Sequence, residues 1–170
     1  MKTLEELTKN GRGEGTITGI EPHAYLLTGL VVATDAKMVL EIGTGWFYSG
    51  QAFLHGLEIT GGFLISCDPN PRVEYSSHPQ FTFIKKKSSE LIQSWNKIID
   101  ILFIDDGHEY EEVKSDYENF SPFVKKGGLI LLHDTKHKYT IYPGPERFCK
   151  EIFIPKISLN LFPGLTMVQK

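Results

Sequence analysis

This 170-residue chain predicts a doubly wound α/β fold, a mostly parallel sheet with helices on both faces. Three observations lead there. Short apolar runs recur at Met38–Ile42, Phe63–Cys67, Phe81–Ile84, Ile98–Ile104 and Leu129–Leu132. Amphipathic stretches of helical spacing separate most of them. The runs are mostly apolar, the fourth interrupted only by Asp100 near its start, as expected of strands covered on both faces.

The elements follow in chain order. Residues 1–20 are polar, with Gly11, Gly13, Gly15 and Gly19, and form a flexible N-terminal segment. It reads either as a frayed terminus or as a flap over a site. A single domain over residues 21–170 follows. Glu21-Pro22 opens a helix carrying Leu26, Leu27, Leu30 and Val31, with proline suited to a first helical turn. Ser49–Thr60 is a second helix with Ala52, Phe53 and Leu57 on one side, stopped by Gly61-Gly62. Ser88 caps a helix with Leu91, Ile92 and Trp95. Tyr110–Val124 is helical, with Val113, Tyr117, Phe120 and Val124 in one stripe, and Gly127-Gly128 ends it. Pro145–Phe153 is a short helix and Leu165–Val168 a last strand.

Composition narrows the function. Hydrophobic residues make up 41% and charged residues 23%, an ordinary globular balance. A net charge of −3 supplies no basic field for nucleic acid. No apolar stretch is long enough for a bilayer, and Met1–Asn10 carries no signal-peptide core. Two cysteines, Cys67 and Cys149, make neither a disulfide framework nor a four-thiolate zinc site, so a reduced, cytoplasmic protein is expected.

Open α/β sheets bind ligands beyond the carboxyl ends of their strands. The residues there are Glu41-Ile42-Gly43-Thr44-Gly45, Asp68-Pro69-Asn70, Lys85–Ser89, Asp105-Asp106-Gly107-His108 and His133-Asp134-Thr135. Gly43 and Gly45 permit close backbone approach to a ligand, or simply make a tight turn. A dinucleotide fingerprint needs glycine at position 48, which is Tyr48, and no phosphate-cradling Gly-Lys-Ser/Thr is present. Nicotinamide cofactors and nucleoside triphosphates are therefore disfavoured. Asp68, 25 residues beyond Gly43, suits either ribose hydroxyls or a turn before proline. Asp105, Asp106 and His108 suit a cation or acid–base role, although one acid is accounted for by helix capping. Adjacent parallel strands lie about 4.8 Å apart, so Asp105 and Asp134 could share a magnesium ion or be a salt-linked surface pair. Lys85-Lys86-Lys87 reads as a solvated turn or as an attractor of acidic substrates. Trp46, Phe47 and Tyr48 read as core or pocket wall, His23, His55, His78 and His137 have no partner pattern, and Cys149 is packed.

Together, Val-Leu-Glu-Ile-Gly-Thr-Gly, Cys-Asp-Pro, Phe-Ile-Asp-Asp-Gly-His-Glu-Tyr and Gly-Gly-Leu-Ile-Leu-Leu-His-Asp-Thr resemble class I S-adenosylmethionine-dependent methyltransferases. The likeness is closer to the small-molecule O-methyltransferase branch whose fourth strand ends in Phe-Ile-Asp-Gly-Asp-His. It runs from about Glu21 to Thr135. The resemblance implies a Rossmann-like, seven-stranded sheet with a reversed last strand. It implies a cofactor, S-adenosylmethionine, held by Glu41, Gly43, Thr44, Gly45, Ser49, Asp68, Pro69, Ser88 and Asp105. It further implies magnesium on Asp105 and Asp134, and catalysis by Asp105 and His108, the imidazole removing a hydroxyl proton from a sugar or phenol-like acceptor.

The chain departs from the family in two places. Phe47 stands where another glycine is usual, and Asp-Gly-Asp-His is reordered to Asp105-Asp106-Gly107-His108. The competing expectation is a non-catalytic ligand- or partner-binding relative whose cofactor site Phe47 alters. The aromatic tail, with Phe153, Phe162 and Leu165, reads as core or as the interface of a homodimer.

Overall fold

The computed structural model describes residues 1–9, 19–72, 74, 77–136, 143–160 and 163–170. Seven strands form one sheet in the order β3-β2-β1-β4-β5-β7-β6. They are β1 (Met38–Ile42), β2 (Phe63–Cys67), β3 (Phe81–Ile84), β4 (Ile99–Ile104), β5 (Val124–His133), β6 (Lys156–Leu159) and β7 (Leu165–Gln169). β1 to β5 pair in parallel, while β7 runs antiparallel to both β5 and β6. The reversed strand is the one implied by the family resemblance. Because strand order turns outward from β1 and β4, a crevice opens beyond their carboxyl ends.

Alternating strand residues supply two separate cores. Val39, Leu64, Ile101, Phe103, Leu131 and Leu165 pack beneath α1 (Leu4–Lys9), α2 (Ala24–Ala33) and α3 (Tyr48–Thr60). Leu40, Ile42, Ile65, Leu102, Ile104 and Leu132 pack beneath α4 (Ser88–Leu91), α5 (Tyr110–Phe120) and α6 (Pro143–Glu151). Gly56 allows α2 and α3 to close on each other, since a Cβ there would lie 2.6 Å from Val31 Cβ. Asp100, the polar break in β4, accepts the backbone N–H groups of Lys37 and Met38 at 2.7 Å each and pairs with Lys125 at 2.6 Å. It thus fixes the start of β1 against β4.

Several boundaries differ from the sequence reading. Within the supposedly flexible first 20 residues, Leu4–Lys9 form α1 with Leu7 only 1% exposed, and Gly19 and Ile20 are buried. Leu7 gives that short helix an apolar anchor; residues 10–18, with most of the glycines, lie outside the described residues. Ser88 is not the cap but the first residue of α4, with Lys87 at the N-cap position. The helix from Tyr110 ends at Phe120, a 3-10 turn follows over Ser121–Phe123, and Val124 already begins β5. Gly127-Gly128 lie inside that strand, where the pairing with β4 shifts register. A side chain at Gly128 would collide with Val124 Cγ1 at 2.8 Å and the Asp100 carbonyl at 2.9 Å, so the bulge requires glycine there. β6 escaped the periodicity because it is a four-residue edge strand with a mostly exposed face. Leu165 is core, Phe153 is 98% exposed, and Phe162 lies outside the described residues. Among the described residues no helix is long and apolar enough to cross a membrane.

Candidate active site

The strand ends of β1, β2, β4 and β5 bring the expected residues into one crevice. At β1, the Gly43 N–H donates to the Cys67 carbonyl and the Asp105 N–H to the Ile42 carbonyl, both at 2.8 Å. Gly43 has φ +87°, and a Cβ there would stand 2.4 Å from the Asp105 carbonyl oxygen. Glycine is therefore required by both backbone and space. Asp68 fastens this turn. Its Oδ2 accepts the N–H groups of Thr44 at 3.1 Å and Gly45 at 2.9 Å, and its Oδ1 accepts that of Asn70 at 2.7 Å. The expected ribose acid is thus also the clamp of the glycine turn.

Glu41 is fully buried. Ser49 donates to Oε1 at 2.5 Å and Ser66 donates to Oε2. Burial pushes Glu41 up to about 8, against the pull of the two hydroxyls. Thr44 Oγ1 is buried without a hydrogen-bond partner among the described residues. An orphaned hydroxyl beside a glycine cradle is what a polar ligand would satisfy. Phe47, φ +65°, turns its ring against Phe81, with centroids 4.5 Å apart.

On the far side of Asp68 lies a cleft of ≈ 400 Å³. Pro69, Ser88 and Asp106 line it, with Glu111, Glu112 and Asp116. Its size suits a nucleoside, and its carboxylates oppose phosphate groups while suiting amino donors and cations. Burial lifts Asp106 above the usual carboxylate range and Asp116 up to about 6.

At β4 and β5, one ligand atom each from Asp105, His108 and Asp134 lies within 4.8 Å of the others. The register Ile104↔Leu132 sets the two acids side by side. His108 Nε2 donates to Asp134 Oδ2 at 2.8 Å. Burial opposes the charged ring, but Asp134 outweighs it and holds His108 above its ordinary value. His133 Nδ1 donates to Asp105 Oδ1 at 2.9 Å, and its Nε2 to the Gly19 carbonyl at 3.2 Å. Burial disfavours the charged ring, yet Asp105 carries His133 up to about 9. Beside it, burial and the His133 charge lower His23 to about 4. A space of ≈ 10 Å³ among Asp105, His108 and Asp134 has room for roughly one water or ion. Two carboxylates and an imidazole fit a divalent cation.

Three residues of this site were not among the expected ones. Ser66 was signalled only by a hydroxyl in an otherwise apolar run, and Asp116 by an acid among the apolar positions of α5. His23 gave no signal, because its role depends on a partner far away in the chain; His133 was expected only as one of the polar residues after the fifth strand, with no sign of its partners Asp105 and Gly19.

The comparisons agree with this fold. A family model described as a methyltransferase domain matches residues 40–135, and the chain belongs to that family. The SAH-bound methyltransferase PaMTH1 of Podospora anserina is 16% identical, with 98% of this chain and 86% of that one covered, at a TM-score of 0.72. An O-methyltransferase from Bacillus cereus in complex with SAH is 17% identical, covering 100% and 92%, at 0.70. TomG of Streptomyces achromogenes, an O-methyltransferase involved in tomaymycin synthesis and solved with SAM, is 14% identical, covering 96% and 87%, at 0.67.

Proposed function

We propose that the protein transfers a methyl group from S-adenosylmethionine to a hydroxyl of a small acceptor, a sugar or phenol, assisted by a divalent cation such as magnesium. The observation that carries this reading is the glycine turn, with its orphaned Thr44 hydroxyl, lying directly beside the Asp105–His108–Asp134 cluster. Relatives solved with SAH or SAM support the choice of cofactor.

Glu41, Gly43, Thr44, Gly45 and Ser49 would hold the methionine part, Asp68 the ribose, and Pro69, Ser88 and Asp106 the adenine side. Asp105 and Asp134 would hold the cation. When bound, S-adenosylmethionine supplies a methyl group on a sulfonium that leaves as a neutral thioether, and the cation lowers the acceptor hydroxyl's pKa. His108 takes the hydroxyl proton on its ring, made more basic by Asp134. Asp105 keeps its carboxylate in register through His133. The same reading takes the protein as cytoplasmic, consistent with two buried free thiols, Cys67 and Cys149.

Thermal unfolding with and without S-adenosylhomocysteine tests the cofactor. Ligand at 100 times its Kd stabilises by about 2.7 kcal/mol, a rise of several degrees for this size. No shift at millimolar ligand would favour the non-catalytic relative. Asp134→Ala tests the cation: activity that stays magnesium-dependent in that variant would rule out the shared site.

A further inference from the structure

His133 joins two parts of the molecule that are 114 residues apart. Its Nδ1 donates to Asp105 Oδ1 at 2.9 Å, and its Nε2 donates to the Gly19 carbonyl at 3.2 Å. The ring is 3% exposed and held between aromatic neighbours, the His23 ring at 5.8 Å and the Phe103 ring at 6.0 Å. Gly19 is fitted to it. The backbone there has φ +78°, and a Cβ would stand 3.0 Å from His133 Cε1 and 2.7 Å from Pro163 Cγ. The chain leading into α2 is therefore docked against the end of β5 by a specific joint.

We propose that His133 is a positioning residue with two separable tasks, its Nδ1 fixing the Asp105 carboxylate and its Nε2 seating the segment at Gly19. By occupying Oδ1, it leaves the second carboxylate oxygen of Asp105 for the cation. Outer-shell partners of this kind fix the orientation of a ligating carboxylate. The inference rests on the cation reading above, and adds to it that cation affinity and docking of the chain before α2 depend on separate nitrogens of one imidazole.

Two substitutions separate the two bonds. His133→Asn places an amide N–H near the Nδ1 position and drops the bond to Gly19. His133→Gln places one near the Nε2 position and drops the bond to Asp105. On the full chain, Mn²⁺ alone is titrated by electron paramagnetic resonance. Hydrogen exchange is read at the His23 amide, which donates to the Ile20 carbonyl at 2.8 Å. The Gln variant should lose about tenfold or more in Mn²⁺ affinity, with exchange close to wild type. The Asn variant should keep its Mn²⁺ affinity and exchange His23 at least ~10-fold faster. Both variants weakened alike in both readouts, or neither changed, would reduce His133 to packing and overturn the proposal. A wild-type protein that binds no Mn²⁺ would overturn both this role and the cation reading. Wild-type binding without the split between variants overturns the His133 role alone.

Discussion

The Phe47 ring fills the space that a side chain at Gly50 would take: a Cβ at Gly50 would lie 2.1 Å from Phe47 Cε2. The ring completes this corner against Phe81, and it does not line the ≈ 400 Å³ cleft. The family's missing glycine is thus replaced by a packing pair, Phe47 with Gly50. Holding a bulky residue at φ +65° costs about 1–2 kcal/mol, offset by burying the ring.

Gly50→Ala should therefore destabilise by about 1–3 kcal/mol through overpacking. Adding Phe47→Ala should recover part of that loss, a coupling that urea melts of the double-mutant cycle would measure. Phe47→Gly should leave S-adenosylhomocysteine affinity near wild type by calorimetry. A large gain in affinity would show instead that the ring obstructs the cofactor.

Asp68→Ala removes the acceptor of three backbone N–H groups. Stability should fall by about 1–3 kcal/mol, since these donors lose their partner. S-adenosylhomocysteine affinity should fall at least about tenfold as the turn loosens. Calorimetry and thermal melts of the same variant check both. Asp68→Asn keeps one acceptor oxygen and should be intermediate.

Glu41 makes the protein less stable as pH rises. Its carboxyl titrates near 4.5 when unfolded and about 8 when folded. Between these values the folded state holds a proton that the unfolded state releases, with a slope of up to about 1.4 kcal/mol per pH unit. Glu41→Gln removes this contribution. Its stability relative to wild type should improve steadily from pH 5 to 8, then level off. Parallel curves for the two proteins would show that Glu41 is ionised throughout.

His23 acts at the other end of the pH range. Its Nε2 has no hydrogen-bond partner among the described residues, and the ring is 2% exposed. Its value drops from 6.5 to about 4, so from pH 6.5 downward the unfolded state takes up a proton that the folded state refuses. Stability falls as pH falls through that window. His23→Phe should gain on wild type progressively from pH 6.5 to 4, measured by denaturant melts. A constant difference would mean that His23 is protonated in the folded protein.

Much of this molecule is legible from its residues alone. Apolar runs placed β1 to β4 within a residue, because strands buried on both faces admit few polar side chains. The rule that ligands sit beyond strand ends picks out Glu41, Asp68, Asp105 and Asp134 as candidates from the sequence, and parallel pairing of β4 with β5 sets Asp105 beside Asp134. Pattern failed where burial is one-sided or partial. α1 rests on Leu7, and β6 is a half-exposed edge.

What only the tertiary structure decided are the pairings between residues distant in the chain. Ser49 and Ser66 reach Glu41 across eight and 25 residues, and Gly19 meets His133 across 114. Periodicity reports which face of an element is buried. It carries no information on which polar group from another element will meet a buried nitrogen or carboxyl. That choice follows from how helices settle on the sheet, and it decides that Phe47 packs on Phe81, that burial raises the Glu41 carboxyl, and that His133 stands between Asp105 and Gly19.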